Sequence, residues 1–353
     1  MFQHRSFADH EHVVHVSDPA VGLRCIIAMH STRLGPAIGG CRVREYGSED
    51  EALDDVLRLS RGMTMKAAVA NVPFGGGKMV VLLDPGQTKT PALMRGVGRA
   101  IARLGGHYIT GEDVGSTVAD MAEIREETDH VLGLPPEAGG SGDPSPSTAL
   151  GIFAGIEAAV RARLPGRGLS DIVVAVQGLG NVGFNLCHLL HHAGANLVVA
   201  DVRPELVARA VTAFGATSCE VQSVHAATSD VFSPCALGAG LNPGTIPEIR
   251  ARIIAGGANN QLADESRDGG ALMERGILYA PDYVINSGGM IQLAAEFLPD
   301  GQADVRRRVL GIGDTLSAIF DRSERDAIPT HAAAADLAEA RLYSPAGLTA
   351  AAQ

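Results

Sequence analysis

The stretch VVAVQGLGNVGFNL, residues 173–186, predicts the fold of the second half of the chain. An apolar, strand-forming run leads into Gly178, Gly180 and Gly183, spaced G-x-G-x-x-G, and a helical pattern follows. In such a turn the first glycine permits a sharp bend, the second lets a ligand approach the backbone, and the third lets helix and strand pack closely. The free N–H groups of the helix N-terminus favour a phosphate. The pattern therefore predicts a strand–turn–helix unit that binds a dinucleotide.

An acidic residue ends the next predicted strand and indicates which dinucleotide is bound. Asp201 closes the run NLVVAD, 18 residues after Gly183. A carboxylate there accepts hydrogen bonds from the ribose hydroxyls and repels a 2′-phosphate, so the predicted cofactor is NAD rather than NADP. Arg203, two residues further on, would weaken that preference. The cofactor-binding residues predicted here are Gly178, Gly180, Asn181, Val182, Gly183, Asp201 and Arg203.

Strands and helices alternate along most of the chain, which predicts an α/β protein with a parallel, doubly wound sheet in its second half. The Gly- and Pro-rich run GGSGDPSPS, residues 139–147, predicts an interdomain hinge. We therefore expect two domains, with the active site in the cleft between them. The predicted boundaries are 1–140 for an α/β substrate domain, 145–330 for a Rossmann dinucleotide-binding domain, and 331–353 for a C-terminal helix and tail.

Composition narrows the possible partners and the compartment. The net charge is −11, which argues against nucleic acid or an anionic membrane as the main partner. No apolar run is long enough for a secretion signal or a membrane span, and five cysteines are an odd number, so we expect reduced thiols in the cytoplasm. Two groups of histidines, at 10–15 and 188–192, lack the acids or cysteines of a closed metal site, so no metal is predicted.

Two lysines and an aspartate in the first half are the candidates for catalysis. Lys66 interrupts the apolar run MTMKAAVANV, and Lys78 stands between three glycines and the buried strand MVVLL. Asp113 lies in a loop after the strand HYIT. The run NVPFGGGKM is not a phosphate-binding P-loop, because Val72 and Met79 occupy positions where that motif needs Gly and Ser or Thr. A lysine in apolar surroundings needs a partner or a task that a shifted pKa serves.

Nearly the whole chain resembles the leucine/phenylalanine/valine branch of the glutamate-type amino-acid dehydrogenases, which deaminate L-amino acids with NAD. Some runs, such as RLSRGMT and AVQGLGNVG, are also similar to the tryptophan-specific members. The motifs that carry the resemblance are LGPAIGG, RGMTMKAA, GGGK, ITGEDVG, GDPSPSTALG, QGLGNVG, PCALG, GGANNQLAD and YAPDYVINSGG.

The resemblance implies roles for individual residues. Lys66 would hold the substrate α-carboxylate beside the backbone of Gly39 and Gly40, while Lys78 and Asp113 would be the catalytic pair. Lys78 would activate water and stabilise the carbinolamine oxygen, and Asp113 would carry protons to and from the nitrogen. The remaining implied contacts are Thr148 with the nicotinamide carboxamide, Cys235 and Ala236 as a backbone wall of the cofactor site, Asn259 with the nicotinamide ribose, and Asn260 with the substrate.

Four positions are implied to line the side-chain pocket: Ile38, Gly111, Met290 and Leu293. None is basic, so a glutamate side chain would be left unpaired there at a cost of about 2–7 kcal/mol. Gly111 with Leu293 resembles the phenylalanine-preferring members, whereas leucine enzymes carry Ala and Val. Leucine, valine and tryptophan stay open as alternatives, because one methylene in such a pocket discriminates by only about 1–3 kcal/mol.

Two other functions compete with an amino-acid dehydrogenase. A 2-hydroxy-acid oxidoreductase would need a histidine base, and His107 alone falls near the predicted cleft. An inactive NAD-binding protein is disfavoured by the presence of Lys66, Lys78 and Asp113 together. We expect small-molecule substrates and a homo-oligomer, with neither nucleic acid nor membrane as a partner.

Overall fold

The computed structural model describes residues 1–236, 238–298 and 301–344. These residues form two compact α/β units. The first contains residues 1–143, 293–298 and 338–344, and the second contains 144–292 and 301–337 with the gap given above. Of the predicted C-terminal helix and tail, 331–337 group with the second unit and 338–344 with the first, while 345–353 lie outside the described residues.

The first unit is built on strands that alternate with three helices. The predicted strands around the Asp18-Pro19 turn are present, and the helices begin where Ser48, Thr90 and Thr117 provide caps. The elements are β1 (His12–Asp18), β2 (Leu23–Ser31), β3 (Ala37–Glu45), α1 (Glu49–Ala70), β4 (Gly75–Leu83), α2 (Pro91–Ala102), β5 (Tyr108–Glu112) and α3 (Val118–Arg125).

The described strands of this unit form one mixed sheet in the order β1-β2-β4-β3-β5. β2 runs antiparallel to both β1 and β4, whereas β3 is parallel to both β4 and β5. Alternate residues of β2 face opposite layers: Ile27 packs with α2 and α3, and Ile26 packs with α1. The sheet is therefore covered on both faces, and β3 lies between the two strands that lead to the predicted catalytic residues.

Ser48 and Glu51 have the spacing of a capping box at the start of α1, which predicts a reciprocal pair of hydrogen bonds. Ser48 does cap the helix, because its hydroxyl accepts the Glu51 N–H at 3.1 Å. The Glu51 carboxylate, however, accepts the Gly47 N–H at 2.9 Å, so the reciprocal bond is not made at Ser48.

The second unit contains the predicted parallel sheet, with its strands in the order β11-β10-β9-β6-β7-β8 among the described residues. The order reverses between β6 and β9, which is where a doubly wound sheet binds its ligand. Its strands are β6 (Val173–Gln177), β7 (Asn196–Ala200), β8 (Thr217–Ser218), β9 (Val231–Pro234), β10 (Ile253–Ile254) and β11 (Leu278–Tyr279).

Helices connect these strands and form the C-terminal part of the chain. The first of them already begins at Ser145, inside the segment 139–147 that the sequence analysis predicted as a hinge. No described helix is long and apolar enough to cross a bilayer. The helices are α4 (Ser145–Arg163), α5 (Asn181–His192), α6 (Pro204–Phe214), α7 (Glu265–Glu274), α8 (Asp282–Ile285), α9 (Gly288–Ala294), α10 (Gly301–Leu310), α11 (Ile312–Asp326) and α12 (Thr330–Leu342).

Candidate functional site

Lys78 and Asp113 form a buried ion pair in the first unit. Lys78 lies in β4, Asp113 follows β5 directly, and the Lys78 Nζ lies 3.0 Å from the Asp113 Oδ1. The two side chains are only 6% and 21% exposed. Both strands pair with β3, so the topology brings together two residues that are far apart in sequence. These are the two residues that the sequence analysis predicted as catalytic.

Arg42, on β3, is a second cation at the same carboxylate. Its Nε donates to the Asp113 Oδ2 at 2.8 Å, and its Nη1 donates to the Asp55 Oδ2 at 2.9 Å. The Tyr46 hydroxyl also donates to Asp55, at 2.8 Å. The sequence analysis missed Arg42 because a single arginine on a strand carries no motif. The feature of the sequence that could have indicated a role for Arg42 is its position two residues after Gly40 in the run LGPAIGGCR.

The charges of this cluster shift the proton affinities of the pair. Burial lowers the pKa of the Lys78 ammonium, although Asp113 opposes the shift. Burial favours the neutral form of Asp113, but Lys78 and Arg42 together outweigh it and hold the pKa of Asp113 below its usual value. Asp113 is therefore a carboxylate at neutral pH, next to a lysine that releases its proton more readily than an exposed lysine does. The pair can accept a proton and return it.

The three glycines before Lys78 belong to β4 itself, so the predicted strand begins earlier than MVVLL. A Cβ on Gly76 would lie 2.0 Å from the Thr64 backbone N of α1, and one on Gly77 would lie 2.8 Å from the Tyr108 ring. A Cβ on Gly39 would lie 1.8 Å from the Gly77 carbonyl oxygen. The absent side chains of these glycines thus leave space for the backbone of neighbouring elements and for the Tyr108 ring.

The residues predicted to bind the substrate carboxylate lie on α1 and β3. Lys66 is half-buried on α1, two residues beyond Thr64. Gly40 lies next to Asp113, because a Cβ on Gly40 would come within 2.7 Å of the Asp113 Cβ. Ile38 is buried in β3, opposite Ile109 of β5.

Gly111 and Leu293 meet the same short segment of the first unit, residues 132–133. A Cβ on Gly111 would lie 3.5 Å from the Leu132 Cβ, at ordinary contact distance. A Cβ on Gly133 would lie 3.5 Å from the Leu293 Cδ2. Leu132 is buried, and its N–H donates to the Thr110 carbonyl at 2.7 Å. Leu132 is therefore a further apolar neighbour of the predicted pocket, and the sequence analysis missed it.

The glycine fingerprint of the second unit has the geometry of a dinucleotide site. A Cβ on Gly178 would lie 2.9 Å from the Cys235 carbonyl oxygen, and one on Gly183 would lie 1.9 Å from the Gly178 carbonyl oxygen. A Cβ on Gly180 would meet nothing closer than the Arg203 side chain at 4.0 Å. No described side chain caps the first turn of α5. Open space at the middle glycine beside free helix N–H groups fits a pyrophosphate.

Asp201 lies beside this turn, at the end of β7. Its Oδ2 accepts the Leu179 N–H at 2.7 Å, and its Oδ1 accepts the Arg203 N–H at 2.9 Å and the Arg203 Nε at 3.3 Å. Burial opposes ionisation of Asp201, but these donors hold its pKa below the usual value. Arg203, which was predicted to weaken the preference for NAD, thus donates hydrogen bonds to Asp201, which was predicted to set that preference.

Other predicted residues lie around the ends of β9 and β10 and in the flanking helices of the second unit. The Asn259 Oδ1 accepts from the Asn286 Nδ2 at 2.7 Å, which fixes the amide of Asn259. Asn260 has a left-handed backbone with φ of +51°. Burial raises the pKa of the Cys235 thiol, as expected for a wall residue rather than a nucleophile. The remaining members are Ala236 after Cys235, Val182 and Asn181 in the first turn of α5, Thr148 in the first turn of α4, and Met290, buried on α9.

Comparison with known proteins identifies relatives over almost the whole chain. The family model Glu/Leu/Phe/Val dehydrogenase, dimerisation domain, matches residues 10–130, and the model Glutamate/Leucine/Phenylalanine/Valine dehydrogenase matches residues 200–308. The leucine dehydrogenase of Geobacillus stearothermophilus is 47% identical over 97% of this chain and 93% of the relative. The phenylalanine dehydrogenase of Caldalkalibacillus thermarum is 44% identical over 97% and 93%. The crystal structure of L-tryptophan dehydrogenase from Nostoc punctiforme superposes with a TM-score of 0.86 at 44% identity, covering 95% of this chain and 96% of that one.

Proposed function

Because the chain belongs to the family of glutamate, leucine, phenylalanine and valine dehydrogenases, we propose that it catalyses the reversible, NAD-dependent oxidative deamination of an apolar L-amino acid to its 2-oxo acid and ammonia. Enzymes of this family use a nicotinamide cofactor. The observation that carries the proposal is the buried pair of Lys78 and Asp113, with 3.0 Å between the ammonium and the carboxylate. Proton transfer at nitrogen and at water requires such a pair.

The residues of the first unit divide the work of binding and proton transfer. Lys66 holds the α-carboxylate of the substrate, with the backbone of Gly39 and Gly40 beside it. Lys78 stabilises negative charge on the oxygen that forms when water adds to the imine carbon. Asp113 accepts the proton of that water and returns it to the nitrogen, which leaves as ammonia. The nicotinamide cofactor, held by the glycine fingerprint and Asp201, would supply the acceptor for the α-hydrogen of the amino acid, which leaves as a hydride.

The preference for NAD follows from Asp201. Its carboxylate lies next to the fingerprint turn, where it can accept from the ribose hydroxyls and repel a 2′-phosphate. The ion pair with Arg203, at 3.3 Å, reduces this repulsion without removing it, because the Arg203 side chain is half exposed and the pair is screened. NAD is therefore preferred over NADP.

The substrate side chain is apolar, and within that class we propose an aromatic one. Ile38, Gly111, Met290 and Leu293 supply no cation, so glutamate is a poor substrate. Gly111 has no side chain, and the nearest atom that a Cβ there would meet is the Leu132 Cβ at 3.5 Å. This space supports an aromatic ring on the substrate. The relatives named leucine and tryptophan dehydrogenase make leucine and tryptophan the competing substrates.

The enzyme works as a cytoplasmic homo-oligomer on small-molecule substrates. A family model described as a dimerisation domain covers residues 10–130, which supports self-association. The five cysteines are free thiols, and a net charge of −11 disfavours nucleic acid as a partner.

A screen of purified protein tests the reaction. NADH formation is measured over the apolar L-amino acids, and NADH consumption is measured with their 2-oxo acids with and without ammonia. We expect activity in both directions and a strict need for ammonia in the second. Ammonia-independent turnover of 2-hydroxy acids would replace the proposal with alcohol chemistry, and NAD binding without any turnover would indicate an inactive NAD-binding protein.

Lys78→Ala should lower kcat by about 10³-fold or more while NAD binding persists, and Lys89→Ala is the control, since Lys89 pairs with Asp120.

A double variant tests the aromatic preference. Gly111→Ala adds a methyl group at contact distance from Leu132, and Leu293→Val removes one near Gly133. The ratio of kcat/KM for L-phenylalanine to that for L-leucine should fall by about 10–200-fold. An unchanged ratio would show that these positions do not line the pocket.

A further inference from the structure

His188 and His192 lie one turn apart on the exposed face of α5, and both side chains are exposed. Their Nε2 atoms are 3.1 Å apart, and their rings meet edge to face with 4.3 Å between the centroids. The two ring nitrogens therefore lie within hydrogen-bonding distance of each other at the surface of α5. Neither histidine takes part in the proposed reaction.

That separation is the one required by a single metal ion. Zinc–imidazole bonds are about 2.0–2.1 Å long, so two imidazole nitrogens on one ion lie about 2.8–3.4 Å apart at octahedral to tetrahedral angles. Imidazole suits Zn²⁺, Ni²⁺ and Cu²⁺, whereas Mg²⁺ and Ca²⁺ prefer oxygen. We propose that His188 and His192 form a two-histidine site for a divalent transition-metal ion on the outer face of α5.

The remaining positions of the ion belong to water or an exogenous ligand. Among the described residues, no group of three or more His, Cys, Asp or Glu side chains is arranged around one point. The sequence analysis predicted no metal here because the acids or cysteines of a closed site are missing, whereas the proposed site is open and uses only two protein ligands. His191 does not share it: its ring centroid lies 6.0 Å from that of His192 and 5.6 Å from that of Phe214.

The site also borders the cofactor-binding half of the second unit. His188 lines a cavity of about 350 Å³ together with Gly180, Asn181 and Arg203. A bound ion fixes two side chains in successive turns of α5, so it should stabilise the helix that follows the fingerprint.

Calorimetric titration of the full chain, prepared without a histidine tag, tests the proposal with Ni²⁺ and with Zn²⁺. We expect one site per chain that raises the melting temperature, since the ion binds the folded helix. His188→Ala and His192→Ala should each weaken binding by about tenfold or more, since each removes one of two protein ligands. His191→Ala should leave it unchanged.

Alanine is well tolerated on an exposed helix, so all three variants should fold, and circular dichroism checks this. Equal binding by all four proteins, equal loss in His191→Ala, or no saturable binding to the parent protein would each overturn the site. The two nitrogens would then share only a proton.

Discussion

Asp113 is ionised because two cations, one on β3 and one on β4, contact its carboxylate. Lys78 contacts one carboxylate oxygen at 3.0 Å and Arg42 the other at 2.8 Å, while Asp55 balances the charge of Arg42. Burial alone would raise the pKa of Asp113 and favour the protonated acid, but the charges of Lys78 and Arg42 outweigh this effect. Arg42 neutralises part of the charge of Asp113, which in the proposed mechanism leaves Lys78 available for an oxygen of the substrate.

Removing Arg42 should therefore change the pH dependence of the reaction. In Arg42→Met the pKa of Asp113 rises towards its ordinary value, so Asp113 is protonated at a higher pH and the acid limb of kcat/KM moves upward. The fall in activity between neutral pH and about pH 4 should be several-fold larger in Arg42→Met than in the wild type. Arg44→Met is the control, since Arg44 is exposed on the same strand and pairs with Glu51. Parallel pH profiles for wild type and Arg42→Met would contradict this assignment.

A second residue-scale effect concerns stability rather than catalysis. Burial, with the nearby charges of His10 and Arg61, lowers the pKa of His30 to about 4, while Glu11 opposes the shift; the His30 Nδ1 lies 2.9 Å from the Thr64 hydroxyl. The unfolded chain binds this proton with a pKa near 6.5. Stability is therefore fully present above about pH 6.5 and is lost progressively as the pH falls towards 4. Urea midpoints across this range should drop for the wild type and drop less for His30→Gln. His12→Gln, at an exposed position, should behave like the wild type.

At the scale of elements, helix α1 can approach the sheet because β4 lacks a side chain at Gly76. The helix backbone at Thr64 occupies the place of a Cβ, at 2.0 Å. This contact sets how near Lys66, half a turn further along α1, comes to the strand that carries Lys78. The glycine run thus serves the site through packing between a helix and a strand.

Alanine substitutions distinguish Gly76, which packs a helix against a strand, from Gly111, which is predicted to line the pocket. Gly76→Ala forces the helix and strand apart, so the free energy of unfolding should fall by about 3 kcal/mol or more. In Gly111→Ala the new methyl group meets Leu132 at 3.5 Å, and stability should change by less than about 1 kcal/mol. Urea denaturation of both variants measures the difference, and equal stabilities would contradict the packing explanation.

Glu296 connects two segments beside the predicted pocket. Its Oε1 accepts the Ser141 N–H at 2.8 Å and the Ser141 hydroxyl at 2.5 Å, and its Oε2 accepts the Gly133 N–H at 3.2 Å. Leu293, three residues earlier, also contacts Gly133. We therefore predict that Glu296→Ala loosens the pocket wall and raises KM for the amino acid about tenfold, with kcat and KM for NAD little changed. Glu296→Gln, which keeps one acceptor oxygen, should recover most of the loss. Equal changes in both KM values would indicate a general loss of structure.

At the scale of the whole molecule, local patterns predicted local structure well. The alternation of strands and helices predicted the parallel sheet, and the glycine fingerprint predicted the turn between β6 and α5, because strand, turn and helix lie within one short stretch. Strand β3 escaped prediction, since Gly39 and Gly40 break its apolar alternation and arginines occupy its second half. Arg42 and Asp113 are 71 residues apart, and only the pairing of β3 with β5 brings them together. Leu132 was missed for the same reason.

The second unit is discontinuous in sequence, and its C-terminal segment completes its packing. A Cβ on Gly151 of α4 would lie 2.6 Å from the Ile312 Cδ1 of α11, and one on Gly155 would lie 2.8 Å from the Leu316 Cδ1. Without α11, this close-packed apolar face of α4 would be exposed to water. A fragment of residues 144–337 should therefore melt cooperatively and bind NAD without catalysing any turnover, because Lys66, Lys78 and Asp113 are absent from it. A fragment of residues 144–292 should aggregate. Calorimetry and NAD titration of both fragments provide the measurement, and a cooperative transition in the shorter fragment would show that α4 does not depend on α11.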